Sequence, residues 1–335
     1  MDKEAIDRIF APAARAALSS FPIDKGDLTP VSLAENVTFK VTDRAGSAYV
    51  LRLHRPGYHT LDELVSERAW IRALADAGID VPSPVPARDG RDYVPVTIPA
   101  TGEQRFAGML RWTEGRLLSH VLAETSDPKV IEDYFAQLGA LTAAMHNQAS
   151  AWRPPPGFTR HALDRDGLMG DAPHWGPFWE HRSLSPAERG LLLDARAHMQ
   201  EKLGRLSREP TVYSLIHADM HPGNILVDGD RLTVIDFDDA GFGWHPYDIA
   251  VVLTYYQSKP NAREIERAFL DGYRATRPLT DEALTLIPMF RLIRWMASIG
   301  WFHQRPELEP SAVFEERKAW VLERCAALNR KDSWT

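Results

Sequence analysis

The chain has 335 residues with 39 Lys+Arg against 46 Asp+Glu, a formal net charge of −7, which excludes the concentrated cationic face that a nucleic-acid partner requires. Its 44% hydrophobic and 25% charged residues are ordinary globular usage, so disorder and fibrous repeats drop out, and the length suggests about two folding units. The single cysteine, Cys325, can form no internal disulfide; the charged, amphipathic N-terminus is no signal peptide and no run approaches the ~18 apolar residues of a membrane span, so a cytoplasmic protein without a membrane partner is expected.

In chain order, an opening helix is followed by a strand-rich unit. Strands are predicted at 28–32, 37–42 and 48–54, the last two separated by Arg44-Ala45-Gly46. A helix over 61–77 starts on Thr60 with Glu63 three residues on, a capping box, and stops at Gly78. Asp89-Gly90 reads as a hairpin turn between later strands, and a strand over 106–112 ends at Thr113-Glu114-Gly115.

From Leu117 the periodicity turns helical. Ser126-Asp127-Pro128 opens a helix whose apolar positions are Ile131, Phe135, Leu138, Leu141 and Met145. The stretch 152–179, rich in Pro, Trp and Gly, reads as a structured loop. Helices are predicted near 186–206, 247–256, 262–275, 281–302 and 311–328. The division is therefore a small strand-rich unit over 1–112 and a larger helical unit over 113–335.

Charge is concentrated in one place. Residues 214 to 248 hold seven acids and a single base, Arg231. There a strand over 212–216 leads into His217-Ala218-Asp219-Met220-His221-Pro222-Gly223-Asn224. A hairpin turning at Asp228-Gly229-Asp230 then runs into Asp236-Phe237-Asp238-Asp239. The start of one hairpin strand and the end of the next are neighbours, so Asn224 and Asp236 are expected to face one pocket with Asp219. Asparagine and aspartate oxygens are hard ligands suited to magnesium, whose shell substrate phosphates complete. A further carboxylate can take the proton of a hydroxyl nucleophile, and these are the parts of phosphoryl transfer. The spacing H-x-D-x-x-x-x-N matches the catalytic loop of protein kinases, with Asp236 in the place of their metal-binding aspartate.

HADMHPGNIL (217–226), VIDFDDAGFG (234–243) and HPYDIA (245–250) resemble the aminoglycoside phosphotransferase and choline kinase superfamily, which includes homoserine kinase of the second type. More loosely, ENVTFKV (35–41) is similar to its nucleotide-loop hairpin, YVLRLHRP (49–56) to its third strand and SERAWIRAL (66–74) to its first-lobe helix. The resemblance implies an α+β, two-lobed protein-kinase-like fold, with a small antiparallel-sheet, nucleotide-binding N-lobe, a larger mainly helical C-lobe and nucleotide between them. It implies ATP and Mg2+ as cofactors and transfer of the γ-phosphate to a hydroxyl of a small molecule: an amino alcohol, hydroxy amino acid, aminoglycoside or sugar-like compound.

Position by position, Asp219 resembles the catalytic base, and Asn224 and Asp236 the magnesium ligands. Arg52 stands where a kinase lysine meets the α/β-phosphates, with Glu67 as its ion-pair partner; a planar fork replaces a compact ammonium. Ser32 and Asn36 fall in the nucleotide loop, and backbone groups around Leu110 to Trp112 in the adenine-binding hinge. Asp236-Phe237-Asp238 lacks the kinase glycine, and the short link to the next helix leaves no peptide platform, which favours a small acceptor. His217 is expected to brace the loop. His221 either stabilises phosphate charge or supports the turn, and Asp238 is a second metal contact or a strand-end acid. Asp248 caps the next helix or braces the loop. Arg291 and Arg294, on a helix rich in apolar residues, are candidates for an anionic group of the acceptor, and Trp295 for lining its pocket.

Four other readings stay open on sequence: a protein Ser/Thr kinase similar to the bacterial stress-response kinase, a nucleotide-binding pseudokinase, a metal-dependent hydrolase suggested by His217-x-Asp219-x-His221, and a haloacid-dehalogenase-like phosphatase suggested by a strand ending in Asp-Phe-Asp. Oligomeric state is open as well.

Overall fold

A computed structural model describes residues 3–23, 26–33, 36–308 and 311–328. Helix α1 (Lys3–Leu18) precedes strands β1 (Asp27–Leu33), β2 (Val37–Thr42) and β3 (Ala48–Leu53). Helix α2 (Leu61–Asp76) and strands β4 (Pro84–Val85), β5 (Tyr93–Thr97), β6 (Gln104–Arg111) and β7 (Arg116–Leu117) come after them. Next are α3 (Leu118–Glu124), α4 (Pro128–Ala151), β8 (Ala162–Leu163), α5 (Arg165–Met169), α6 (Pro186–Leu203) and β9 (Tyr213–Ile216). Strands β10 (Ile225–Asp228), β11 (Arg231–Val234) and β12 (Gly241–Trp244) lead into α7 (His245–Thr254), α8 (Ala262–Thr276), α9 (Asp281–His303) and α10 (Ala312–Leu328).

The chain forms two compact units. The first comprises the residues up to Leu117, Arg153–Arg160 and Ile225–Ile235; the second comprises Leu118–Trp152, His161–Asn224 and the residues from Asp236 onward. A single cut after 112 does not describe this, because the β10–β11 hairpin returns to the first unit. There β10 pairs with β7, the Val234 amide donates to the Asp80 carbonyl at 3.0 Å, and Arg231 pairs with the Asp80 carboxylate.

In the first unit an antiparallel sheet runs β1-β2-β3-β6-β4, with β5 also on β6. Side chains alternate across a strand. Val37, Phe39, Val41, Leu51 and Leu53 therefore share one face, which closes a core with Ile6, Phe10, Ala14 and Ala17 of α1. The alternate positions carry Arg52, in register with Thr38 on β2 and Gly108 on β6. Both halves of the Thr60–Glu63 capping box form at the start of α2, and Gly78 lies just past the helix at φ 80. The Asp89-Gly90 turn forms, closed by the Ala87 amide on the Arg91 carbonyl, but it joins no hairpin. β5 lies along the first part of β6 and β4 along its last residues, so the two occupy that edge in succession instead of facing each other.

In the second unit α4 and α8 approach to backbone contact. A Cβ on Gly139 would overlap the Phe269 carbonyl, and one on Gly272 the Ala136 carbonyl. Asp127 caps α4 through the Lys129 amide. The stretch 152–179 is structured as expected: β8 pairs parallel with β12, whose other edge takes β9. One helix among the described residues, α9, is long and apolar enough to cross a membrane by length and composition, contrary to the expectation that no run is. Ile287, Met289, Phe290, Ile293, Met296 and Ile299 are buried inside the unit along it, and it carries two paired arginines, as a core helix does.

Candidate active site

β9 delivers the chain to His217, and a buried carboxylate sets the shape of the loop beyond it. Asp248, in the first turn of α7, accepts the His217 amide at 2.9 Å and the Ala218 amide at 2.6 Å. Of the two roles weighed for Asp248, the structure shows the brace: the residue capping α7 is Trp244. His146 of α4 stands behind, with Nε2 3.3 Å from Asp248 Oδ2 and Nδ1 2.8 Å from the Tyr273 hydroxyl. Burial pushes the Asp248 carboxyl up, against the pull of His217 and the two amides. Burial and Arg277 lower His146 to about 3. The brace lets Ala218 take a left-handed backbone, φ 64, a conformation that costs of order 1 kcal/mol or more in a non-glycine residue.

This turn sends Asp219 away from His217, whose buried ring receives the Asp219 amide on Nδ1 at 3.3 Å. The Asn224 side-chain amide donates to the Asp219 carbonyl at 2.9 Å and to Oδ2 at 3.0 Å. With its NH2 group so engaged, Asn224 has its carbonyl oxygen left as the atom a hard cation would use. His221 Nε2 lies 3.5 Å from Asp219 Oδ2, and its Nδ1 accepts the Gly223 amide at 2.9 Å, so it supports the turn. Hairpin register pairs Ile225 with Val234, which brings Asn224 and Asp236 to the same end of the ladder. Asp236 also has a left-handed backbone, φ 67, and the adjoining Phe237 and Asp238 are buried. The donor set of one amide oxygen and one or more carboxylates fits magnesium.

Arg294 of α9 donates to Asp219 Oδ1 and, at 3.1 Å, to the Tyr255 hydroxyl. Burial raises the Asp219 carboxyl, but Arg294, the His221 contact and the charges of His221 and His217 outweigh it and hold it at about 2. Burial disfavours charge on Arg294 in turn, while Tyr255, Asp219, Tyr247 and Asp239 keep it protonated far above neutrality. Trp295 is buried, edge-on to Tyr255 at 5.3 Å. Arg291, expected beside Arg294, is engaged instead by Glu266 of α8 at 2.7 Å. Sequence reasoning missed Tyr255, whose ring is 5.1 Å from that of His221, and Arg317 of α10, which lies over Trp295; neither stands near a motif.

In the first unit Arg52 is half-buried on β3 and Glu67 is buried on α2. Ser32 is exposed on β1 beyond an irregularity at Pro30. Asn36 Oδ1 accepts the Arg55 amide at 2.9 Å, so it ties the chain just after β3 to the start of β2. Leu110 is buried. At the hinge the Arg111 amide bonds the Ser83 carbonyl at 2.8 Å and the Trp112 amide the Ala48 carbonyl at 2.9 Å. Those two donors are committed to the sheet and are not available to a purine.

A family model described as "Phosphotransferase enzyme family" matches residues 27–281. The chain is 26% identical over 317 residues to amicoumacin kinase of Bacillus subtilis (strain 168), covering 90% of this chain and 87% of that one. Among solved structures it is similar to a microcompartment-associated aminopropanol kinase, with a TM-score of 0.80 and 31% identity over 96% of this chain and 97% of that one. An amicoumacin kinase in complex with AMP-PNP, Ca2+ and Ami gives a TM-score of 0.78 and 25% identity over 98% and 96% of the two chains.

Proposed function

The chain belongs to the phosphotransferase enzyme family and is an ATP-dependent small-molecule kinase; from that premise we propose that it works with magnesium in the cytoplasm, on the hydroxyl of an amino alcohol, a hydroxy amino acid or a related polar compound. The observation that carries this reading is the Asp219 carboxylate, fixed by Asn224 and Arg294 at the end of a loop braced by Asp248. Asn224 and Asp236 are the residues that would hold the metal. A magnesium ion bound there supplies charge neutralisation for the transferring phosphoryl group.

Asp219 orients the acceptor hydroxyl and receives its proton as the oxygen attacks. A carboxyl held near 2 is a weak base, so its main contribution is alignment, with the proton moving late, as a loose phosphoryl-transfer transition state allows. His217 and Asp248 keep the loop in shape, and Arg52 with Glu67 is proposed to steady the nucleotide phosphates. The chain runs from Asp236 to α7 at His245 with β12 in the β9 sheet, a course that supports a small acceptor over a protein substrate. The test is ADP release with MgATP across amino alcohols, hydroxy amino acids, aminoglycosides and sugars. Transfer to at least one is expected, and label appearing only in protein would overturn the reading.

A further inference from the structure

Arg317 has a setting unlike the other arginines of this region. Arg291 pairs with Glu266 and Arg294 with Asp219, whereas among the described residues no carboxylate lies within ion-pair distance of Arg317. It is half-buried, with its guanidinium 4.4 Å from the Trp295 ring centre and 5.6 Å from that of Tyr255. Tyr255 accepts a hydrogen bond from Arg294 through its hydroxyl. The Tyr255 ring thus lies next to two guanidinium groups, one paired with Asp219 and the other with no carboxylate in ion-pair contact. Burial, above all, and the charge of Arg294 work against protonation of Arg317 and outweigh the opposing pull of Tyr255 and Glu316. Two like charges close together in a partly desolvated, aromatic-walled place are unfavourable until an anion joins them. A guanidinium stacked on rings also keeps its in-plane donors pointing outward, the geometry that grips a carboxylate in two places.

We infer that the acceptor carries a carboxylate, bound by Arg317 beside Tyr255 and Trp295, while its hydroxyl lies at Asp219. This rests on the small-molecule kinase reading above and narrows it from amino alcohols in general to hydroxy acids and hydroxy amino acids. Arg317 is then a specificity-determining residue, and Trp295 and Tyr255 are the surface that holds it in place.

Three pairs of compounds differ only by the carboxylate: threonine and 1-amino-2-propanol, homoserine and 3-amino-1-propanol, serine and ethanolamine. ADP release with MgATP is measured on all six. In at least one pair the acid is expected to have a kcat/KM about tenfold or more above its amine. Arg317→Gln is expected to reduce the kcat/KM of that acid, through KM, about tenfold more than that of its amine, with Arg317→Lys in between. Acids used no better than amines, or a preference that survives Arg317→Gln, overturns the inference. Turnover of amines alone removes the carboxylate and leaves the kinase reading standing, whereas transfer to none of the six removes the carboxylate and sends the kinase reading to the wider acceptor panel. The wild-type comparison needs no variant to fold, and the amine reaction controls for damage in Arg317→Gln.

Discussion

Arg294 donates to the carboxylate of Asp219, so the residue that aligns the acceptor is itself held by a buried guanidinium from a helix distant in sequence. Removing that hold leaves a half-buried carboxylate without its cation and held by Asn224. Arg294→Gln is expected to lower kcat about 10²-fold, the scale on which misplacement of a reacting group acts. MgATP affinity by titration calorimetry should change little, and unchanged kcat would contradict the positioning role.

Asp219→Asn keeps the shape and the contact with Asn224 but cannot accept a proton. A loss of about 10²–10⁴-fold in kcat is expected, with MgATP binding near wild type. Asp236→Asn should act differently, raising the magnesium concentration for half-maximal rate about tenfold or more. Magnesium titrations of both variants separate the base from the ligand.

Asp248→Ala leaves two buried amides, those of His217 and Ala218, without an acceptor. A stability loss of about 3 kcal/mol or more is expected in urea unfolding, together with loss of activity. Asp248→Asn retains one acceptor oxygen and should fall between. Equal stability of Asp248→Ala and wild type would contradict the brace.

His146 is held neutral, its folded-state value lowered from 6.5 to about 3 by burial and Arg277, and its stacking partner His245 is lowered by burial, His146 and Arg277. The unfolded chain takes up these protons near 6.5 and the fold does not, so stability falls as pH drops below that value. Each histidine contributes a slope of up to about 1.4 kcal/mol per pH unit. Asp248, its carboxyl raised by burial, binds a proton more readily in the fold and works in the opposite direction. Tyr273 stays neutral throughout, raised by burial. Urea unfolding at about pH 7 and about pH 5 should show the loss, and equal free energies would contradict it.

Gly139→Ala or Gly272→Ala puts a methyl group into a facing backbone carbonyl at the α4–α8 contact. Neither helix can yield locally, since the obstacle is main chain. A cost of about 1–3 kcal/mol is expected from the fall in melting temperature, by overpacking. Gly190→Ala, where the added Cβ meets nothing within 4 Å, is the control and should be neutral or stabilising.

What could be read from sequence was local. The Thr60–Glu63 box, the Asp127-Pro128 helix start and the run from His217 to Asp236 are short-range patterns, and hairpin register needs only a turn between two apolar strands. Arg291 and Arg294 show where this stops. Three residues apart on one helix, they were expected to share a target, yet their partners come from α8 and from the loop after β9. Nothing along α9 says which neighbour packs against which side. The Asp89-Gly90 turn was legible but its strand partners were not, because β6 offers one edge to two short strands. Tyr255 and Arg317 were out of reach for the same reason: they meet Trp295 only through the packing of three helices.

The seam between α4 and α8 also bears on how the enzyme is made. Every residue from His217 to Asp248 lies in the chain between Gly139 and Gly272, and His146, which backs the brace, belongs to the first of these helices. On the ribosome the catalytic loop is therefore synthesised well before the helix that closes the seam. Long-range closures of this kind are slow compared with helix formation. The nascent chain is expected to carry an unassembled centre until α8 has emerged, so chaperone contact or proteolysis during that interval would fall on the residues that later perform the chemistry.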